Sequence, residues 1–243
     1  MRKIIPKILS LPIPLSLLAL ACVAQTVSTI PDGVARYESA MKALMDNPGH
    51  VSLEKTFEEC LQTAEALQRE LERFDESIFQ KIKRMMTGFW VNRMEVIVVD
   101  PDPSFFLKLA NEKGTKSDKA FFEALVKTYP DPKSWWPAYK KPSTDYSGCT
   151  IFDGQTVSAI YDSWISFQKA YPKKYPIGAQ KELSKVQDAL EGNCVCGDED
   201  GYRRAQESFM KTHPASPLVP KIASRLNALK NHASDMRFHC MPQ

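Results

Sequence analysis

Three short strings, "VKTYP" ending at Pro130, "QKAYP" at Pro172 and "MKTHP" at Pro214, stand 42 residues apart both times. A residue that precedes proline is pushed out of the helical region, so each string marks a helix end. An aromatic-bearing segment leads into each: Phe121 and Phe122, then Trp164 and Phe167, then Tyr202 and Phe209. After the second and third strings a further amphipathic segment follows, "GAQKELSKVQDAL" and "VPKIASRLNALK". A helix, a proline turn and a second helix cannot bury their apolar faces alone, and stacking such pairs solves that problem. The first string has no second helix behind it. In its place stands "PDPKSWWPAYKKPSTDYSGCTIFDG", residues 130–154, a long loop rich in proline and rings.

The N-terminal half is helical by periodicity. Residues 32–46 put Val34, Tyr37, Met41 and Leu44 on one face, with Asp32 able to cap and Asn47-Pro48-Gly49 as the stop. Ser52 can cap a second helix in which Leu53, Phe57, Cys60, Leu61, Ala64, Leu67, Leu71 and Phe74 recur at three- and four-residue steps. Its Glu, Gln, Lys and Arg positions read as a solvated face. Asp75 starts a further helix through Ile78, Ile82 and Met86. "MEVIVV", Met94–Val99, is rich in β-branched residues, but no partner strand is apparent nearby, so the reading favours a buried helix end before Pro101. Phe105–Asn111 and Asp118–Thr128 read as two more helices.

Within residues 155–231, "FMKTHPASPLVPKIASRL" resembles the tetratricopeptide-like helix pairs of bacterial envelope proteins, although the 42-residue spacing exceeds the 34 of that repeat. The resemblance implies an architecture and no activity. The expected fold is all-α: an N-terminal helical bundle over 32–113, then a disulfide-stapled stack of helix pairs over 114–243 that carries the loop 130–154.

The chain opens "MRKIIPKILSLPIPLSLLALACVAQ", with Arg2, Lys3 and Lys7 ahead of an apolar run and small residues beyond it. This is the layout of a secretory signal peptide, assigned to residues 1–24, and the run is too short to span a membrane. Cleavage before Cys22 or before Gln25 both fit. Ala19-Leu20-Ala21-Cys22 also resembles a bacterial lipoprotein box, which makes Cys22 a candidate lipid anchor. Removing the segment takes away three positive charges and no negative ones, leaving 29 of each sign. A broad basic face for nucleic acid is therefore not expected. The expected location is the periplasm or the exterior, free or membrane-anchored as a lipoprotein.

An exported chain reads its cysteines first as disulfides. Cys149 lies 19 residues past Pro130, Cys194 and Cys196 lie 22 and 24 past Pro172, and Cys240 lies 26 past Pro214. All four follow the same part of successive units. The expectation is a ladder in which one sulfur of the C-x-C pair bonds Cys149 and the other bonds Cys240. Cys60 sits on an apolar stripe and reads as a buried inert thiol. A zinc site from Cys194, Cys196, His239 and Cys240 is the competing reading, with a reactive thiol a third; Asp198, Glu199 and Asp200 would raise a thiol and serve better as caps for the next helix.

H-E-x-x-H, G-x-S-x-G, C-x-x-C-H and phosphate-cradling glycine loops are missing, so the reading leans away from an enzyme and assigns no cofactor, no metal and no catalytic residue. Trp135, Trp136, Tyr139 and Tyr146 are the candidate binding residues, because Trp and Tyr dominate interface hot spots. The expected function is binding of another envelope or secreted protein, as an adaptor, inhibitor or immunity-type protein. The alternative is a cell-wall glycan binder or peptidoglycan-acting hydrolase that uses the same loop beside Asp145 or Asp153.

Overall fold

Helix punctuation in the sequence is reproduced closely in space. The computed structural model describes residues 29–47, 51–93, 97–131, 134–142, 148–152 and 155–240. The signal-peptide assignment, Cys22, Tyr146, Asp145 and Asp153 lie outside these residues. Among those described, the chain forms α1 (Asp32–Asp46), α2 (Leu53–Glu70), a 3-10 turn (Leu71–Arg73) and α3 (Glu76–Met85). A hairpin of β1 (Phe89–Arg93) and β2 (Ile97–Pro101) follows, then α4 (Pro103–Lys113) and α5 (Lys116–Thr128). A second small hairpin, β3 (Lys140–Pro142) and β4 (Gly148–Thr150), precedes α6 (Thr156–Ala170), α7 (Pro176–Glu191), α8 (Glu199–Thr212) and α9 (Val219–Lys230). The fold is mainly helical, with two antiparallel two-stranded sheets.

Local chemistry explains most of the boundaries. Ser52, Asp75 and Asp198 each accept an N–H from the first turn of the helix they cap, which satisfies a donor that the helix itself leaves open. The three proline-marked ends share one geometry. Tyr129, Tyr171 and His213 leave the helix at φ −122°, −135° and −126°. Each donates its N–H to the carbonyl four residues back, Leu125, Phe167 and Phe209 respectively.

Two expectations need correction. Residues 97–99 are not a helix end but part of β2, paired antiparallel with β1 in the register Val91↔Val99 and Arg93↔Ile97. The partner strand, "FWVNR", is only five residues long and opens directly after Gly88 (φ 82°), so its alternation is too brief to stand out as a strand. The face of α2 read as solvated is in part an interface. Glu54 accepts the Tyr175 N–H at 2.8 Å and pairs with Lys174 at 2.7 Å. Glu58 accepts the N–H groups of Ile177 and Gly178 at 2.8 and 3.1 Å. The N-terminus of α7 has no side-chain cap of its own and begins at Tyr175 in the left-handed region, φ 48°. It borrows its caps from α2, and burial against α7 pushes the Glu58 carboxyl up despite those two donors.

One hydrophobic core runs from Val34 to Leu229, across the junction expected near residue 113. At its centre Phe57 of α2 meets the rings of Phe106, Phe122, Phe121, Tyr175 and Phe89, with centroids 4.9 to 6.5 Å away. Gly178 lets α7 approach closely, since a Cβ there would lie 2.9 Å from the Phe121 ring. Trp164 is fully buried and donates its indole N–H to Thr128 Oγ1 at 3.0 Å.

Asp118 organises the same region. Its Oδ2 accepts the Thr115 N–H at 2.6 Å and the Thr115 hydroxyl at 2.8 Å, completing a capping box on α5. Its Oδ1 accepts the Tyr175 hydroxyl at 2.8 Å, and the Tyr175 ring stacks on Phe121 with centroids 3.9 Å apart. Burial and the Asp118 charge push the Tyr175 phenol far up, so it is a fixed donor. Asp118→Ala removes the acceptor half of the capping box and strands a buried hydroxyl, for an expected loss of about 3 kcal/mol in urea unfolding. A loss under about 1 kcal/mol would show that the hydroxyl finds another partner.

Candidate functional site: a braced aromatic loop

The loop after α5 is fastened along its described length. Ala138 donates its N–H to the Thr128 carbonyl at 2.8 Å, and Ser134 to that of Asp131 at 3.1 Å. The Ile151 N–H then reaches the Tyr139 carbonyl at 2.8 Å, just past the β3–β4 ladder, where Lys141 faces Cys149. A third strand-like segment lies beside β4. Thr150 and Val195 form a parallel bridge, through the Thr150 N–H to Cys194 O and the Cys196 N–H to Thr150 O, both at 3.0 Å. Val195 is bridged on its other side to the C-terminal segment, its N–H donating to Arg237 O at 2.9 Å and its carbonyl accepting the Cys240 N–H at 3.0 Å. A disulfide joins Cys149 to Cys196 across 47 residues.

Half of the expected cysteine ladder is therefore present, with Cys196 as the partner of Cys149. Cys194 and Cys240 carry free thiols on neighbouring segments, Cys194 bridged to Arg237 and the Cys240 thiol donating to the Arg237 carbonyl at 3.2 Å. Cys60 is buried and free, as its place on an apolar stripe suggests. With Cys196 in a disulfide, the zinc reading loses one of its four ligands. Among the described residues no group of three or more His, Cys, Asp and Glu side chains is arranged to hold a metal.

The candidate binding residues divide. Trp135 and Trp136 are half-buried, and the Trp136 ring lies against Gly148, where a Cβ would sit 2.9 Å from it. Tyr139 is a correction. It is 1% exposed and belongs to the core, so its ring is not available to a partner. Sequence gave no warning of this, because the tyrosine sits in a proline-rich stretch without periodicity.

Under the loop lies a polar cluster that sequence reading missed. Tyr129 donates its hydroxyl to Glu182 Oε2 at 2.8 Å and accepts from Lys185 Nζ at 2.8 Å. Lys185 closes the triangle on Glu182 Oε1 at 2.8 Å. Burial and the Glu182 charge push Tyr129 far up and raise Tyr139 as well. Burial alone would lower Lys185, but Glu182 and Asp100 outweigh it and hold the ammonium above its ordinary range. A lysine kept charged and a phenol kept neutral are poor bases, so the cluster suits support of the loop more than proton transfer. The i,i+3 pair Glu182 and Lys185 on one helix was the available signal, but the tyrosine that joins them is more than 50 residues away.

A second polar contact lies at the third proline-marked end, where the His213 ring stacks on Phe209 with centroids 4.4 Å apart and Nε2 lies 2.6 Å from Asp162. Among the described residues, no helix is long and apolar enough to cross a membrane. Comparison of the chain with protein-family models, with curated proteins and with solved structures finds no match.

Proposed function

We propose that this chain is an exported envelope protein that acts by binding another envelope or secreted protein, with Trp135 and Trp136 as the anchors. The observation that carries this reading is the bracing of the tryptophan loop. Two adjacent half-buried indoles stand on a segment held by β-bridges and a disulfide. Large rings on a fixed frame lose little conformational freedom when they dock, which is the usual economy of a binding hot spot. Tyr139 serves beneath them as part of the frame and not as a contact. Export, and attachment through Cys22, belong to the same proposal and rest on the opening residues.

Photo-crosslinking residues placed at 135 and 136, with a control on the exposed face of α9, test the reading in the envelope fraction of the source cell. The expected result is one discrete adduct from 135 and 136 and none from the control. The Trp135→Ala/Trp136→Ala double variant is expected to lose capture of that partner with its far-UV circular dichroism unchanged. Undiminished capture by the double variant would remove the anchors. Release of soluble fragments from purified peptidoglycan by the protein alone would favour the hydrolase alternative instead.

A further inference from the structure

Cys194 and Cys240 are an unassigned pair at the junction of three chain segments. Both thiols are free and partly exposed; Cys194 is bridged to Arg237, and the Cys240 thiol donates to the Arg237 carbonyl at 3.2 Å. The backbone frame around them is fixed from both sides. Arg237 donates its N–H to Asn193 O at 2.7 Å, and Val195 returns one to Arg237 O at 2.9 Å. The Cys240 N–H reaches Val195 O at 3.0 Å, and the His239 N–H reaches Gly197 O at 3.1 Å. His239 itself is left-handed at φ 52°. A non-glycine residue adopts that conformation only where its surroundings impose it. Here the turn sends the chain back so that Cys240 meets Cys194. The C-terminal segment also packs its apolar side chains, with Phe238 6.0 Å from the Tyr202 ring and Arg225 paired to Asp235 at 3.6 Å.

We infer that Cys194 and Cys240 form a second disulfide site, closed by exchange with a small disulfide such as glutathione disulfide, and that its closure latches the C-terminal segment onto the brace of the tryptophan loop. The inference does not depend on the binding partner, because it rests on the backbone bonds that bring the two cysteines onto neighbouring segments. The Cys240 thiolate attacks one sulfur of glutathione disulfide, forming a mixed disulfide and releasing a glutathione thiolate. The Cys194 thiolate then attacks Cys240 Sγ and releases the second. Two protein thiols are oxidised, one glutathione disulfide is reduced to two thiols, and the two protons pass to the released thiolates. Oxidation completes a covalent run from Cys149 through the C-x-C pair to Cys240, as expected in a disulfide-permissive compartment.

Peptide mapping of the full native chain tests this. The protein is equilibrated with glutathione disulfide, quenched in acid, alkylated after denaturation and digested with trypsin without reduction. Trypsin releases residues 186–203 with both C-x-C cysteines, 141–169 with Cys149, and 238–243 with Cys240. The expected product is one species that joins all three peptides, with Cys60 alkylated. In Cys194→Ser the 238–243 peptide is expected to come free while the 141–169 link remains, which separates the proposed pairing from its crossed alternative. Alkylated Cys240, glutathione left on Cys240, or a 238–243 link that survives Cys194→Ser would each overturn the proposal.

Discussion

Replacing Cys149 by serine is expected to lower the free energy of unfolding by about 4 kcal/mol, the chain-entropy value for a loop closed across 47 residues. For a chain of this size that corresponds to a fall of about 8–16 °C in melting temperature. The bridge acts at a place with little else to hold it. β3 and β4 are three residues each, and a ladder that short has no independent stability. Without the bridge, Thr150 keeps only its two backbone hydrogen bonds to the 194–196 segment. The tryptophan loop should therefore loosen before the helices melt. The emission of Trp135 and Trp136 should shift at lower urea than the far-UV signal, whereas wild type under non-reducing conditions is expected to show one transition for both probes. A loss of less than about 1 kcal/mol would mean that the unfolded chain is already held close by other contacts.

Phe57→Ala should match that effect, at about 4 kcal/mol, since a buried phenylalanine cut to alanine costs about 3–5 kcal/mol and this one has little room to collapse into. Its ring is 1% exposed and meets five aromatic neighbours drawn from β1, α4, α5 and the lead into α7. Phe57→Leu keeps most of the volume and should cost well under half as much. Because the core is continuous across residue 113, both variants should still unfold in one transition by urea with circular dichroism. A biphasic curve for Phe57→Ala, with part of the helical signal surviving, would divide the core into two units that fold separately.

The starts of α2, α3 and α8 were legible because their chemistry is local, whereas Asp32 does not cap α1, whose N-cap is Pro31 with no side-chain cap. Ser52, Asp75 and Asp198 lie within four residues of the N–H groups they accept from. Helix ends before Pro130, Pro172 and Pro214 were legible for the same reason, since proline restricts the residue next to it. β1 was not, because five residues hold barely two alternations and its partner begins in another part of the string. The caps on α7 were invisible for a different reason: Glu54 and Glu58 look like any exposed acids until the fold places Tyr175, Ile177 and Gly178 beside them. In the candidate site, the spacing of the cysteines from the unit prolines put Cys149 and Cys196 among its four candidates but could not say which sulfur of the C-x-C pair Cys149 takes. Tyr139 shows the opposite limit. Its ring type was read as a contact, whereas its burial is decided by the disulfide and ladder that fold the loop back onto Glu182 and Lys185.

The borrowed caps of α7 also join two segments that are made at different times. α2 leaves the ribosome about 120 residues before the turn that needs its carboxylates. During that interval Glu54 and Glu58 lack the α7 N–H groups that they accept in the fold. The start of α7 has no side-chain cap of its own, so a nascent chain halted before residue 174 holds the acceptors and one made without α2 holds only the donors. Vectorial emergence from the N-terminus suits this arrangement, and a circular permutant that delivers α7 first should linger with that helix frayed until α2 arrives.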